Sequence, residues 1–243
     1  MHHQHPNTPT SHAGRFSPWI TLNHRLVGFA FPIMMLAACS TGGQKITRSG
    51  FLPDYSQLQK VKPHKDARIW VSPEYRPDRY QEIVIEPVEW HVPHRSDKVE
   101  QMLKTAFRER LEARFSNQFR IVDGSAVTPA TLRVRSAITG MRRTRWYFNA
   151  AIQAAQFATG GIAPFAPLQG GASEEFQVED AQSGVPLIRL ATFRNGKPWN
   201  VKGSYIAYDH ARLAFKKGAD VLAKVITAPG VAVTGGGETV GTP

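Results

Sequence analysis

The longest apolar run in the chain, Leu26 to Ala38 within RLVGFAFPIMMLAACSTGG, decides how much of the sequence is available to a fold. It covers about thirteen residues, whereas a helix needs roughly 20 to span a bilayer. Length therefore argues against a transmembrane span. A buried core helix fits by length, but Gly28 and Pro32 both weaken it, because glycine loosens a helix interior and proline removes a hydrogen bond from it. The run has the proportions of the apolar stretch of a secretory leader, which is about 7–15 residues long, follows basic residues and ends in small ones. Arg15, His24 and Arg25 precede it, and Ala37 and Ala38 close it. The sequence thus predicts that its most hydrophobic segment is absent from the mature fold.

The only cysteine stands at the end of this run. A single cysteine excludes an intrachain disulfide and a Cys-x-x-Cys zinc pair, which leaves a buried thiol or a residue with its own task. Leu36-Ala37-Ala38-Cys39 resembles the lipobox of bacterial lipoprotein signal peptides. Small residues there let the chain lie extended in the signal peptidase site, and the thiol accepts a diacylglyceryl group. The resemblance implies that residues 1–38 are a signal peptide that is removed. Cys39 then becomes the N-terminus, carrying an N-acyl and an S-diacylglycerol lipid as its covalent additions. No cofactor and no metal are expected. Three acyl chains anchor far more firmly than one, since each buried CH₂ contributes about 0.8 kcal/mol. Ser40 occupies the position where aspartate signals inner-membrane retention in enteric-type bacteria, and serine implies the outer membrane. The histidine-rich start MHHQHPNTPTSHAG would be discarded with the leader and is not read as a metal site.

What remains is expected to comprise a lipidated N-terminus and Gly-rich tether over 39–50, one periplasmic domain over 51–228, and a disordered tail over 229–243. The formal charge of the whole chain is +11, and residues 1–38 contribute only Arg15 and Arg25 to it, leaving 28 basic against 19 acidic side chains. Such a surface favours anionic partners. No run of five or six Lys or Arg exists to form a nucleic-acid arm, and an envelope address argues against nucleic acid altogether. Envelope proteins, anionic lipid and peptidoglycan are the partners left, beside the membrane met through the anchor.

Within the domain, apolar periodicity predicts a helix over 97–116, with Ser96 as N-cap and Val99, Met102, Leu103, Ala106, Phe107, Leu111 and Phe115 on one face. Strands are predicted at 69–71, 82–88, 119–124 and 131–139, the last alternating Leu132, Val134, Ser136 and Ile138 against Arg133, Arg135 and Ala137. SEEFQVED and PLIRLATFRN flank AQSG as a β-hairpin, and Asp209 is placed as the cap of a last helix running to about Ile226. Residues 147–172 carry no charge, and their first half reads as a small-residue helix. The expected fold class is α+β, a mixed or antiparallel sheet of about five or six strands with two main helices packed on one face.

SGFLPDYSQL after the lipobox, RYQEIVIEPVEW, LRVRSAIT and EFQVEDAQSGVPL, in this order and spacing, resemble the bacterial lipoproteins grouped as domain of unknown function 3313. The resemblance runs from about Cys39 to Ile226, departing in 147–172 and in the tail. It implies an outer-membrane-anchored periplasmic domain without an assigned activity, and it brings no catalytic residues.

The residues themselves offer one candidate ligand patch, Arg133, Arg135, Arg142, Arg143 and Arg145. Arginine binds phosphates and carboxylates bidentately, so lipid phosphates or peptidoglycan carboxylates are possible ligands. The plainer alternative, which we prefer, is pairing with Glu174, Glu175 and Glu179 on a neighbouring strand. Ser204, Asp209 and His210 lack the elbow of a hydrolase, and His64, His91 and His94 lack the spacing of a metal site. The functional expectation is a lipid-anchored, non-enzymatic binding or assembly module of the cell envelope. The alternative is an envelope hydrolase or lipid-handling protein whose site the sequence does not display.

Overall fold

A computed structural model describes residues 48–62, 64–93, 96–145, 170–196 and 206–230, together with Ile46 and six positions between 147 and 158. The chain divides into two units, Met1–Cys39 and Ser40–Pro243. The first lies outside the described residues, and with it lie the leader, the lipobox and Cys39; His94, Ser204 and most of the tail lie outside them too.

The second unit runs β1 (Gln59–Val61), β2 (His64–Val71), β3 (Glu82–Ile85), β4 (Glu89–Trp90), α1 (Asp97–Phe115), β5 (Arg120–Ile121), β6 (Thr131–Arg142), β7 (Gly171–Asp180), β8 (Pro186–Asn195) and α2 (Asp209–Thr227). The strands form one mixed sheet in the order β1-β2-β8-β7-β6-β3-β5, with β4 added to β6 beside β3. β3 and β4 both run parallel to β6, pairing Ile83 with Leu132 and Trp90 with Ile138, so they form one course interrupted around Pro87. The run from β6 through β7, β8 and β2 to β1 is antiparallel.

Among the described residues the sheet has eight strands, not five or six. The strand predicted at 119–124 is present as β5 but shrinks to Arg120–Ile121, and the surplus is β1 and β4, pieces of three and two residues. An alternating pattern needs about four residues to be visible, so such fragments leave no signature and are strands only because a neighbour pairs with them.

The hairpin forms where AQSG requires it. Gly184 takes a positive φ of 72°, which favours glycine, and Asp180 Oδ1 accepts from the Ser183 hydroxyl and the backbone N–H groups of Gln182 and Ser183. In α1 the buried residues are Leu103, Phe107, Leu111 and Phe115, a single stripe at four-residue spacing. Ser96 holds the N-cap position through its backbone, its carbonyl accepting from Val99 and Glu100, but its hydroxyl makes no capping bond. The cap of α2 is Tyr208; Asp209 is instead the first helical residue, where its carboxylate still faces the positive end of the helix dipole.

Both helices lie on one face of the sheet, as expected. Phe107 of α1 stacks on Phe215 of α2 at 4.7 Å and meets Phe176 of β7 edge-on at 5.6 Å. These three rings join the two helices to the central strand. Every residue of β7 is buried, including the polar ones. The helices cover one side of it, and the segment around Phe51 and Leu52 packs over Ala137 and Ala191 on the other. The described positions between 147 and 158 are helical, as expected for that stretch, and Tyr147 there is exposed.

Candidate functional site

The face of the sheet opposite α1 and α2 collects the charges of three strands. Arg133 and Arg135 of β6 stand opposite Glu179 and Gln177 of β7. Arg133 Nε lies 3.2 Å from Glu86 Oε1, a charge contact without the alignment of a hydrogen bond. Arg135 donates to Glu89 at 3.1 Å, reaches Glu179 at 3.8 Å, and sits 5.5 Å over the Phe51 ring. Pairing with β7 was expected through Glu174, Glu175 and Glu179, and of these Glu179 meets Arg135. Glu86 and Glu89, carried in by the parallel course on the other side of β6, do the rest. Burial pushes the Glu89 carboxyl up, but its bonds to His91 and Arg135 outweigh this and hold it below the usual range.

The five arginines do not form one patch. An irregularity between Ile138 and Gly140 interrupts the register, and Arg142 lies beyond it, opposite Gly171. Burial lowers the Arg142 pKa from its ordinary value. Arg143 lies 6.0 Å over the Tyr208 ring, and Arg145 is exposed. Two arginines are thus neutralised in mid-sheet, while three sit at the end of β6.

Sequence reasoning missed the role of Glu175. It is only 1% exposed, and its Oε2 accepts from Tyr55 Oη at 2.6 Å and Ser49 Oγ at 2.8 Å. The same Tyr55 oxygen accepts the backbone N–H groups of Gly50 and Leu52. Asp54 lies 3.4 Å from Arg189, whose guanidinium covers Trp70 at 4.6 Å. SGFLPDYSQL is therefore a strap fastened across the sheet. Its only signal in the sequence was the aromatic residue and small polar residues right after the tether, which are equally common in loops.

Glu174 faces the other way, toward α2. It is 1% exposed, and Oε1 has no partner among the described residues. Burial pushes its pKa up to about 8, with Arg194 pulling the other way, so it is largely neutral near pH 7. Gly218, which reads in sequence as a mild helix interruption, is where α2 passes over this carboxyl; a Cβ there would collide with Glu174 Oε2.

Beside Glu174, a groove of about 220 Å³ is lined by His64, Lys65, Asp66, Thr192, Arg194 and Lys217, with Val221 at its side. Burial, then Lys224 and Arg194, lower the His64 pKa. A shallower depression of about 480 Å³ lies along α1, lined by Lys98, Gln101, Met102 and Arg212 among others. His91 pairs with Glu89 at 3.0 Å, and His210 is buried with its ring against Gly196. Among the described residues there is no group of His, Cys, Asp and Glu arranged to hold a metal, and no helix is long and apolar enough to cross a membrane.

The molecule is an α+β domain built on one mixed sheet, with both main helices on one face and a strap on the other. The chain belongs to the family described as "Protein of unknown function (DUF3313)", whose match covers residues 47–222. A comparison with curated proteins gives no match. Among solved structures it is similar to the PelC L103M dodecamer from Paraburkholderia phytofirmans, at 12% identity and a TM-score of 0.39, over 66% of this chain and 97% of that one. It is also similar to the hypothetical protein CT253 from Chlamydia trachomatis, at 10% identity and TM-score 0.36, over 61% and 99%. A third is lipoprotein GNA1162 from Neisseria meningitidis, at 11% identity and TM-score 0.29, over 60% and 97%. Likenesses this distant carry no argument about what the chain does.

Proposed function

We propose that this protein is a lipid-anchored component of the bacterial cell envelope, held in the outer membrane through Cys39 with its domain in the periplasm. In this reading the domain binds another envelope component and does not turn over a substrate. The observation that carries the reading is the position of the strap. Ser49 is already fastened to Glu175, and it follows the lipobox cysteine by ten residues. Even fully extended, that tether reaches only about 35 Å. An anchor at Cys39 would hold the sheet close to the bilayer and present the domain to partners at the membrane surface. Arg133 and Arg135 are occupied by Glu86, Glu89 and Glu179, so the binding surface of this reading lies away from the mid-sheet charges.

The test expresses the full chain and its Cys39→Ala variant with radiolabelled palmitate, fractionates the envelope, and crosslinks intact cells. Label in the outer-membrane fraction that disappears in the variant, with one stoichiometric protein partner crosslinked, is the expected result. Unlabelled wild-type protein would remove the anchor. Recovery of hydrolysed lipid or glycan products from the purified chain would replace binding with catalysis.

A further inference from the structure

The groove beside Glu174 holds more positive charge than its surroundings balance. Ala67 of β2 pairs with Thr192 of β8, which brings Lys65 and Arg194 to the same end of the two strands. Lys217 enters from α2, one residue before the glycine at the close approach. Against these three cations stands one acid in the lining, Asp66, 3.9 Å from Arg194 and at the limit of an ion pair. Lys65 and Lys217 form no ion pair among the described residues. Glu174 neighbours Thr192 across the strands, yet adds no negative charge near pH 7 because burial keeps it protonated. The Thr192 hydroxyl is engaged, donating to the Asp66 carbonyl at 3.1 Å, which fixes the groove floor.

Size and charge together limit the ligand. Drug-sized ligands occupy pockets of roughly 300–1,000 Å³; at about 220 Å³ this groove takes one small group. Three cations around one small space suit a dianion better than a monoanion. A guanidinium offers two parallel N–H donors to a phosphate, and the ammonium groups act as point charges beside it. We propose that the groove formed by Arg194, Lys217 and Lys65 binds a phosphomonoester group. The group has two possible sources, a lipid headgroup or a soluble phosphate ester. The inference goes beyond the envelope-binding reading and does not depend on the lipid anchor.

The test uses the full chain in neutral detergent, titrated by calorimetry with inorganic phosphate, glycerol 3-phosphate and acetate. Saturable binding of both phosphates, with acetate much weaker, is expected. Lys217→Glu and Arg194→Gln are each expected to weaken phosphate binding about tenfold or more, the scale of one charge-assisted hydrogen bond. Arg108→Glu, on the exposed side of α1, controls for net charge and should leave binding unchanged. Circular dichroism confirms folding, and Lys65→Glu serves if either variant misfolds. Phosphatidic acid mixed into the micelles should compete with glycerol 3-phosphate if the source is a headgroup, and leave it unaffected if the source is soluble. No saturable phosphate binding, equal binding of acetate, or an equal loss in Arg108→Glu would each overturn the proposal.

Discussion

Glu174→Gln isolates the cost of keeping a carboxyl under α2. In the folded protein the carboxyl keeps its proton up to about pH 8, whereas an unfolded glutamate releases it near 4.5. Between those values the folded state binds more protons than the unfolded state, so stability falls as pH rises. From pH 5.5 to 7.5 this residue alone should remove about 2–3 kcal/mol from the unfolding free energy. Burial lowers the pKa of His210 and of His64, which acts in the opposite sense and raises stability with pH. Those contributions are common to wild type and variant, so the difference between the two proteins measures Glu174. A glutamine amide left without partners beside Gly218 costs about 1–3 kcal/mol, and that cost is the same at both pH values. Urea unfolding of both proteins at pH 5.5 and 7.5 gives the comparison. The variant should gain about 2–3 kcal/mol on wild type between the two conditions. Equal pH dependence in the two proteins would refute the argument and place the carboxyl in contact with water or with a cation.

Three further outcomes follow from the packing. Tyr55→Phe removes a donor to Glu175 and an acceptor for two strap amides; it should cost about 1–3 kcal/mol and speed proteolysis within 46–58, measured by limited digestion. Gly218→Ala puts a methyl group against the Glu174 carboxyl and should lower stability by about 1–3 kcal/mol in chemical unfolding, against the helix propensity that favours alanine. Phe107→Ala opens the junction of α1, α2 and β7 and should cost about 3–5 kcal/mol, read from the shift in the urea midpoint.

Local sequence determined the long elements and the turn between them. Leu103, Phe107, Leu111 and Phe115 announce α1 because four-residue spacing returns to one side of a helix, and that stripe is buried in the fold. The alternation along β6 and the glycine after Asp180 likewise place a strand and a hairpin before any tertiary contact is known, although β6, expected half-buried, is buried on both faces from Ser136 to Met141. The lipobox resemblance is equally local, a matter of four adjacent residues. Tertiary structure decided what periodicity does not encode. β1 and β4 are strands because β2 and β6 pair with them. β7 carries Glu174, Glu175 and Gln177 yet is buried on both sides, because the helices cover one face and residues far upstream cover the other. The sign of a charge is visible in sequence, but its partner is not: Arg133 and Arg135 meet Glu86 and Glu89 through a parallel course roughly fifty positions away in the chain. Glu174 and Glu175 are adjacent in sequence and opposite in fate. The pleat turns one toward Gly218 and burial, and the other toward Tyr55 and Ser49, because successive side chains of a strand point to opposite faces.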